Sequence, residues 1–196
     1  MKKFFPAVLC LFSFFIMIFV TMGYSDKTYI NVYPNLPAPI GKEKILITSA
    51  GQTPEGRLMH AMAEELNLQA DYRPRALASD LYDYQTVVIV VGFSANGLTH
   101  TNRCFEEELE RVKELVGEAA LNQMPLIIVH LAGHYRENKE TLRFFETIVP
   151  YAHYFIGLKN MKQFDTVKDL LHTNQVPATF VSHIRDMKIP FNSVFR

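Results

Sequence analysis

Thr86-Val87-Val88-Ile89-Val90-Val91 is an unbroken run of β-branched side chains. Such residues crowd the preceding turn of a helix but fit a pleated strand, and the lack of polar alternation means that both faces must be covered. Two similar runs flank it, Lys44-Ile45-Leu46-Ile47-Thr48-Ser49 and Pro125-Leu126-Ile127-Ile128-Val129-His130. Between them the apolar period changes to that of a helix: Leu58, Met59, Met62, Ala63 and Leu66 share one face of Pro54 to Leu66, and Leu109, Val112, Val116 and Ala120 share one face of Arg103 to Leu121. Strand then helix, repeated, implies a parallel sheet covered by helices.

Weaker units follow. Tyr154 to Leu158 reads as a strand with a helix near Asp165 to His172, and Ala178 to Val181 as a strand before a short, Pro-interrupted tail. A short edge strand is expected near Ala70 to Arg73, ended by Pro74, and the stretch from there to Tyr84 has no clear pattern. The fold class expected is α/β: a single three-layer doubly wound domain, flavodoxin-like or Rossmann-like, on a mostly parallel sheet of five to six strands, its order undecided.

The 196 residues contain 48% hydrophobic and 20% charged side chains, a balance that supports one buried core and argues against disorder. Basic and acidic residues number 20 each, and setting aside Lys2 and Lys3 leaves 18 − 20 = −2 for the rest. That balance excludes the broad basic surface needed to bind nucleic acid.

The N-terminus carries Lys2 and Lys3, then an apolar stretch from Phe4 to Met22. This is the layout of a signal peptide or signal anchor over residues 1–25, and it places the remainder outside the cytoplasm, either secreted or membrane-anchored. Residues 26–43 contain Pro34, Pro37 and Pro39 and read as a stiff linker, leaving 44–196 for the domain. Cys10 follows Leu9 deep in the apolar run, a poor position for lipid attachment. Cys104 is then the one thiol of the domain, read as a small residue near a helix start, and an internal disulfide is impossible.

Parallel α/β sheets bind ligands beyond the carboxyl ends of their strands, so three loops become candidates. The first, Thr48 to Gly56, offers Ser49, Gly51, Gln52 and Thr53 beside a helix start, with Thr53 a possible cap and Pro54 suited to the first turn. It has neither G-x-G-x-x-G nor the Walker lysine, which leaves no specific case for a nucleotide. The second, Gly92 to Asn102, is long and polar and contributes Gly92, Ser94 and Asn96. Gly92-Phe93-Ser94-Ala95-Asn96 approaches a nucleophile elbow but lacks the last glycine, and the following helix is expected to start too late for that geometry. The third supplies His130, Gly133 and Arg136; His130 and His134 are four apart on a strand-to-loop stretch, a spacing that gives no metal site there.

Ile47-Thr48-Ser49-Ala50-Gly51-Gln52, Val90-Val91-Gly92 with its Ser- and Gly-containing loop, and His130-Leu131-Ala132-Gly133 together resemble an uncharacterised family of small exported bacterial α/β domains. The resemblance runs from about Lys44 to the C-terminus. It implies export and the α/β fold, and no activity or cofactor.

Three functions follow as expectations. The first is an extracytoplasmic module that binds a small polar or anionic ligand at the sheet edge. The second is a hydrolase or transferase pairing Ser49 or Ser94 with His130 or His134. The third is an envelope interaction domain, with Phe144, Phe145, Phe191 and Phe195 as candidates for its surface, although helical Phe144 and Phe145 are more simply read as core residues.

Overall fold

The computed structural model describes residues 35–136, 138–161 and 164–196. Its strands are β1 (Ile45–Ala50), β2 (Ala70–Tyr72), β3 (Thr86–Val91), β4 (Leu126–His130), β5 (Tyr154–Leu158) and β6 (Ala178–Val181). They form one sheet in the order β2-β1-β3-β4-β5-β6, with every neighbouring pair parallel. This is the flavodoxin-like order with a sixth strand added at one edge. The β-branched run lies near the middle, where Val88 pairs with Ile47 of β1 and Ile127 of β4, and every residue of β3 is buried. Its one hydroxyl, on Thr86, accepts from Lys42 N and donates to Lys42 O, both at 2.8 Å, which removes the penalty of an unpaired buried polar group.

Six helices accompany the sheet among the described residues: α1 (Gly56–Glu65), α2 (Ala95–Thr99), α3 (Phe105–Leu121), α4 (Lys139–Ile148), α5 (Phe164–Thr173) and α6 (Lys188–Asn192). Alternate strand residues feed two separate cores. Ile45, Ile47, Val88 and Val129 meet α1 and the C-terminal Met187, Phe191 and Val194 on one face. Leu46, Val87, Ile128 and Phe155 meet α3, α4 and α5 on the other. The central strands are therefore mostly apolar along their length because each of their sides has its own helical layer.

Several expectations need correction. Phe144, Phe145 and Phe191 are 0%, 2% and 0% exposed, so they are core residues and present no surface to a partner. Phe195 is half-buried and packs edge-on to Phe191, ring centroids 5.5 Å apart. Thr53 does not cap α1, whose N-cap position is Glu55. The second loop is not continuous coil: α2 begins directly after Ser94, earlier than expected, because the Ser94 hydroxyl accepts from Gly97 N at 3.1 Å and caps that short turn. The patternless stretch before Tyr84 contains a 3-10 turn, Ala78–Asp83, anchored by Asp80 accepting from Leu77 N at 2.8 Å.

Residues at the end of the proline-containing stretch rest on the C-terminus. Leu36 N donates to Ser193 Oγ at 3.0 Å, and Gly41 N donates to Val194 O at 2.8 Å. Among the described residues no helix is long and apolar enough to cross a membrane. The segment 1–25, expected to direct export, lies outside the described residues.

Phe155 is fully buried against Phe145 and Phe180, with ring centroids 6.0 and 5.4 Å away. Phe155→Ala removes a large side chain from a site that cannot collapse, and is expected to lower the unfolding free energy by about 3–5 kcal/mol in urea titration. A loss below about 1 kcal/mol would mean that this face is not tightly packed.

Candidate functional site

The connections after β1 and β3 leave on opposite faces, since α1 covers one side and α3 the other. This divergence normally opens a crevice between the two strand ends. Here protein fills it. Gly92 N donates to Ala50 O at 3.0 Å and Ser94 N to Gly51 O at 2.8 Å, so the first two loops are hydrogen-bonded to each other. Gly51 has φ +87°, and a Cβ there would lie 2.8 Å from Gly92 O and from the Phe93 Cα. A Cβ on Gly97 of α2 would collide with Gln52 O. Glycine is required at both positions because backbone lies where a ligand would otherwise enter.

Beneath this contact is a buried ion pair. Glu108 and Arg111, one turn apart on α3, are 0% and 4% exposed. The carboxylate takes Arg111 side-on, Oε1 accepting from Nη2 at 2.7 Å and Oε2 from Nε at 2.8 Å. Glu108 Oε1 also accepts from Gly51 N at 3.2 Å and Gln52 Nε2 at 2.9 Å. Arg111 spends its other donors on Ser49 O at 2.5 Å and Ala76 O at 2.6 Å. Ser49 Oγ and Gln52 Nε2 both donate to Pro74 O, at 3.1 and 3.2 Å. One helix thus holds the loops after β1 and β2 through charged hydrogen bonds, with Arg103 a further cation 3.7 Å from Glu108.

The third loop closes over the top. Arg136 Nε donates to both oxygens of Glu55, at 2.8 and 3.0 Å, and Nη1 donates to Phe93 O at 3.3 Å. Glu55 also accepts from the Thr53 hydroxyl. Partial burial tends to raise the Glu55 pKa, but the hydrogen bonds from Thr53 and Arg136 outweigh it, and the carboxyl is held below its ordinary range. His130 is buried with Nδ1 2.8 Å from Val91 O and Nε2 3.2 Å from Gly133 O, joining the second and third loops.

The ten residues expected to bind a ligand do converge on one rim, but most are turned inward. Ser49, Gly51 and Gln52 belong to the ion-pair network, Thr53 and Arg136 hold Glu55, and Gly92 lies under Arg136 Cδ and Thr53. Ser94 caps α2, Asn96 is exposed on its outer side, and Gly133, at φ +50°, packs under the Asn160 amide. Among the described residues no group of three or more His, Cys, Asp or Glu side chains could hold a metal. Cys104 is exposed at the N-cap position of α3, as the sequence suggested.

Open space lies further along the same edge. A depression of about 680 Å³ is bounded by Glu55 and Leu58 of α1, by Leu131, Ala132 and Tyr135 after β4, by Leu158 and Asn160 at the end of β5, and by Ser182 to Arg185 after β6. None of the ten expected residues lines it. The rule that singled out the loops after β1, β3 and β4 applies equally to those after β5 and β6. Their weaker strand patterns kept Asn160 and Ser182 to Arg185 out of consideration.

Two outcomes test this account. Arg111→Met leaves the buried Glu108 charge uncompensated and is expected to cost about 3–5 kcal/mol in urea unfolding, whereas Glu108→Leu/Arg111→Met should recover most of that loss. Glu55, with its folded pKa depressed, contributes stability in full above the ordinary carboxylate range and loses it as pH falls through the folded value. The urea midpoint of wild type should therefore fall more steeply than that of Glu55→Gln on acidification from pH about 6 to about 3. Parallel curves would exclude the Glu55–Arg136 contribution.

No curated protein sequence matches the chain. Among solved structures, a mutant of the esterase AlinE4 superposes on 79% of this chain and 80% of its own, with 10% identity and a TM-score of 0.30, a likeness too slight to carry a functional argument. Residues 42–195 match the family described as Domain of unknown function (DUF6305), and the chain belongs to that family.

Proposed function

We propose that this domain is an extracytoplasmic module that binds a small polar or anionic ligand in the depression at the carboxyl edge of the sheet. The observation that carries this reading is the position of the depression. It is a concavity of about 680 Å³ on the edge where parallel sheets bind ligands, and it is lined by strand-end loops. The export part of the proposal rests on the charged and then apolar residues 1–25, with residues 26–43 as the connection to the domain.

The ion-pair network supports binding at this edge in a specific way. It anchors the first loop, to which the second is hydrogen-bonded, and their close contact supports a mouth over β4, β5 and β6. A rigid wall on one side and mixed polar and apolar side chains on the other suit recognition of a small molecule. No particular observation favours hydrolysis, since the Ser49 hydroxyl donates to Pro74 O and the Ser94 hydroxyl accepts from Gly97 N.

Leu58 is 47% exposed at the edge of the depression, so a larger side chain there fills it without disturbing the core. In a thermal-shift screen of metabolites, wild type is expected to show stabilising compounds that have no effect on Leu58→Trp, because binding to the folded state alone raises apparent stability. Compounds that stabilise both proteins equally, or none that stabilises wild type, would count against this site.

A further inference from the structure

The depression is chemically asymmetric. Among its lining residues Glu55 is already paired with Arg136 and accepts from Thr53, which leaves its charge committed. The Arg185 side chain is 82% exposed, and among the described residues its guanidinium has one ion-pair neighbour, Asp186, at 3.7 Å and beyond hydrogen-bond length. His183 and Ser182 stand beside it on the same loop. Glu55 and Arg185 are the acidic and basic side chains that line the depression, and Arg136 already balances Glu55. The field over the opening therefore favours an anion.

The lining also carries apolar side chains beside its polar ones. Leu58, Tyr135 and Ile184 are 47%, 82% and 37% exposed, and all three border the same concavity, above the buried Leu131 and Leu158. Single exposed hydrophobic residues are ordinary on a protein surface, but three converging on one depression leave apolar area that a ligand would cover. Tyr135 is further held by His134, whose ring lies against it at 3.9 Å between centroids, so the phenol forms a supported wall.

Resting on the binding reading above, we propose that the ligand is a small hydrophobic carboxylate. Its apolar body packs between Leu58, Tyr135 and Ile184, and its carboxylate meets the uncommitted fork of Arg185 beside His183. A guanidinium pairs with a carboxylate through two parallel hydrogen bonds, and its charge persists at every physiological pH. A cationic ligand would meet Arg185 and a carboxylate already taken by Arg136.

The test uses three probes: 3-phenylpropionate, its neutral amide and acetate, titrated against the protein by ligand-observed NMR. Phenylpropionate is expected to bind at least about tenfold more tightly than either of the others, since each lacks one half of the recognition. Arg185→Gln should weaken phenylpropionate about tenfold and leave the amide unchanged, whereas Leu58→Ser should weaken both. Both residues are exposed, and unchanged circular dichroism would show that the variants fold. Equal binding of acid and amide, indifference to Arg185→Gln, or no phenylpropionate binding at millimolar concentration overturns the carboxylate assignment. In those cases the metabolite screen against Leu58→Trp still decides whether the depression binds anything. Phenylpropionate binding indifferent to both Arg185→Gln and Leu58→Ser overturns the site itself.

Discussion

The carboxylate of Glu108 and the guanidinium of Arg111 lie in the apolar interior, and their pairing sets the shape of the functional edge. Removing two charges from water is costly, and attraction between them repays that cost only when the remaining donors and acceptors are also satisfied. The surrounding backbone meets that requirement. Gly51 N and the Gln52 amide complete the carboxylate, while Ser49 O and Ala76 O complete the guanidinium. The loops after β1 and β2 are thus ordered by a helix that follows them in the chain by several elements.

This arrangement explains why the site is displaced from the place the topology indicates. A doubly wound sheet diverges between β1 and β3, and a cleft at that point is the usual result. Helix α2, capped by Ser94, fills the divergence, with Gly97 against the Gln52 carbonyl and Arg136 lying over Gly92. Backbone occupies the space in which many related architectures hold a ligand. A concavity lies instead between α1 and the loops after β4, β5 and β6.

The two cores divide the work accordingly. The face formed by α3, α4 and α5 carries Phe144, Phe145 and Phe155 in its core. The opposite face is covered by α1 and by the C-terminal residues, with Leu36 packed among them. At the upper end of that face α1 and the C-terminal segment leave a gap, and exposed Leu58 and Ile184 border it. The proposed binding site is therefore on the face with the sparser helical cover.

Much of this architecture was legible from local pattern. Continuous β-branched runs such as 86–91 report burial on both faces, because a strand alternates its side chains and a polar position would show. The same logic brought the loops after β1, β3 and β4 to one rim, since parallel strands end at a common edge. Local pattern could not show the partner of a buried charge. Glu108 and Arg111 read as ordinary polar positions of an amphipathic helix, and their burial depends on residues 49 to 76, far away in the chain. Nor could it show that Ser49 and Gln52 face inward, or that Arg136 is committed to Glu55. Secondary structure and strand direction follow from near-neighbour periodicity, and the sequence determined them by itself. Which polar groups are satisfied internally and which remain free for a ligand depends on contacts between distant segments, and only the tertiary structure decided that.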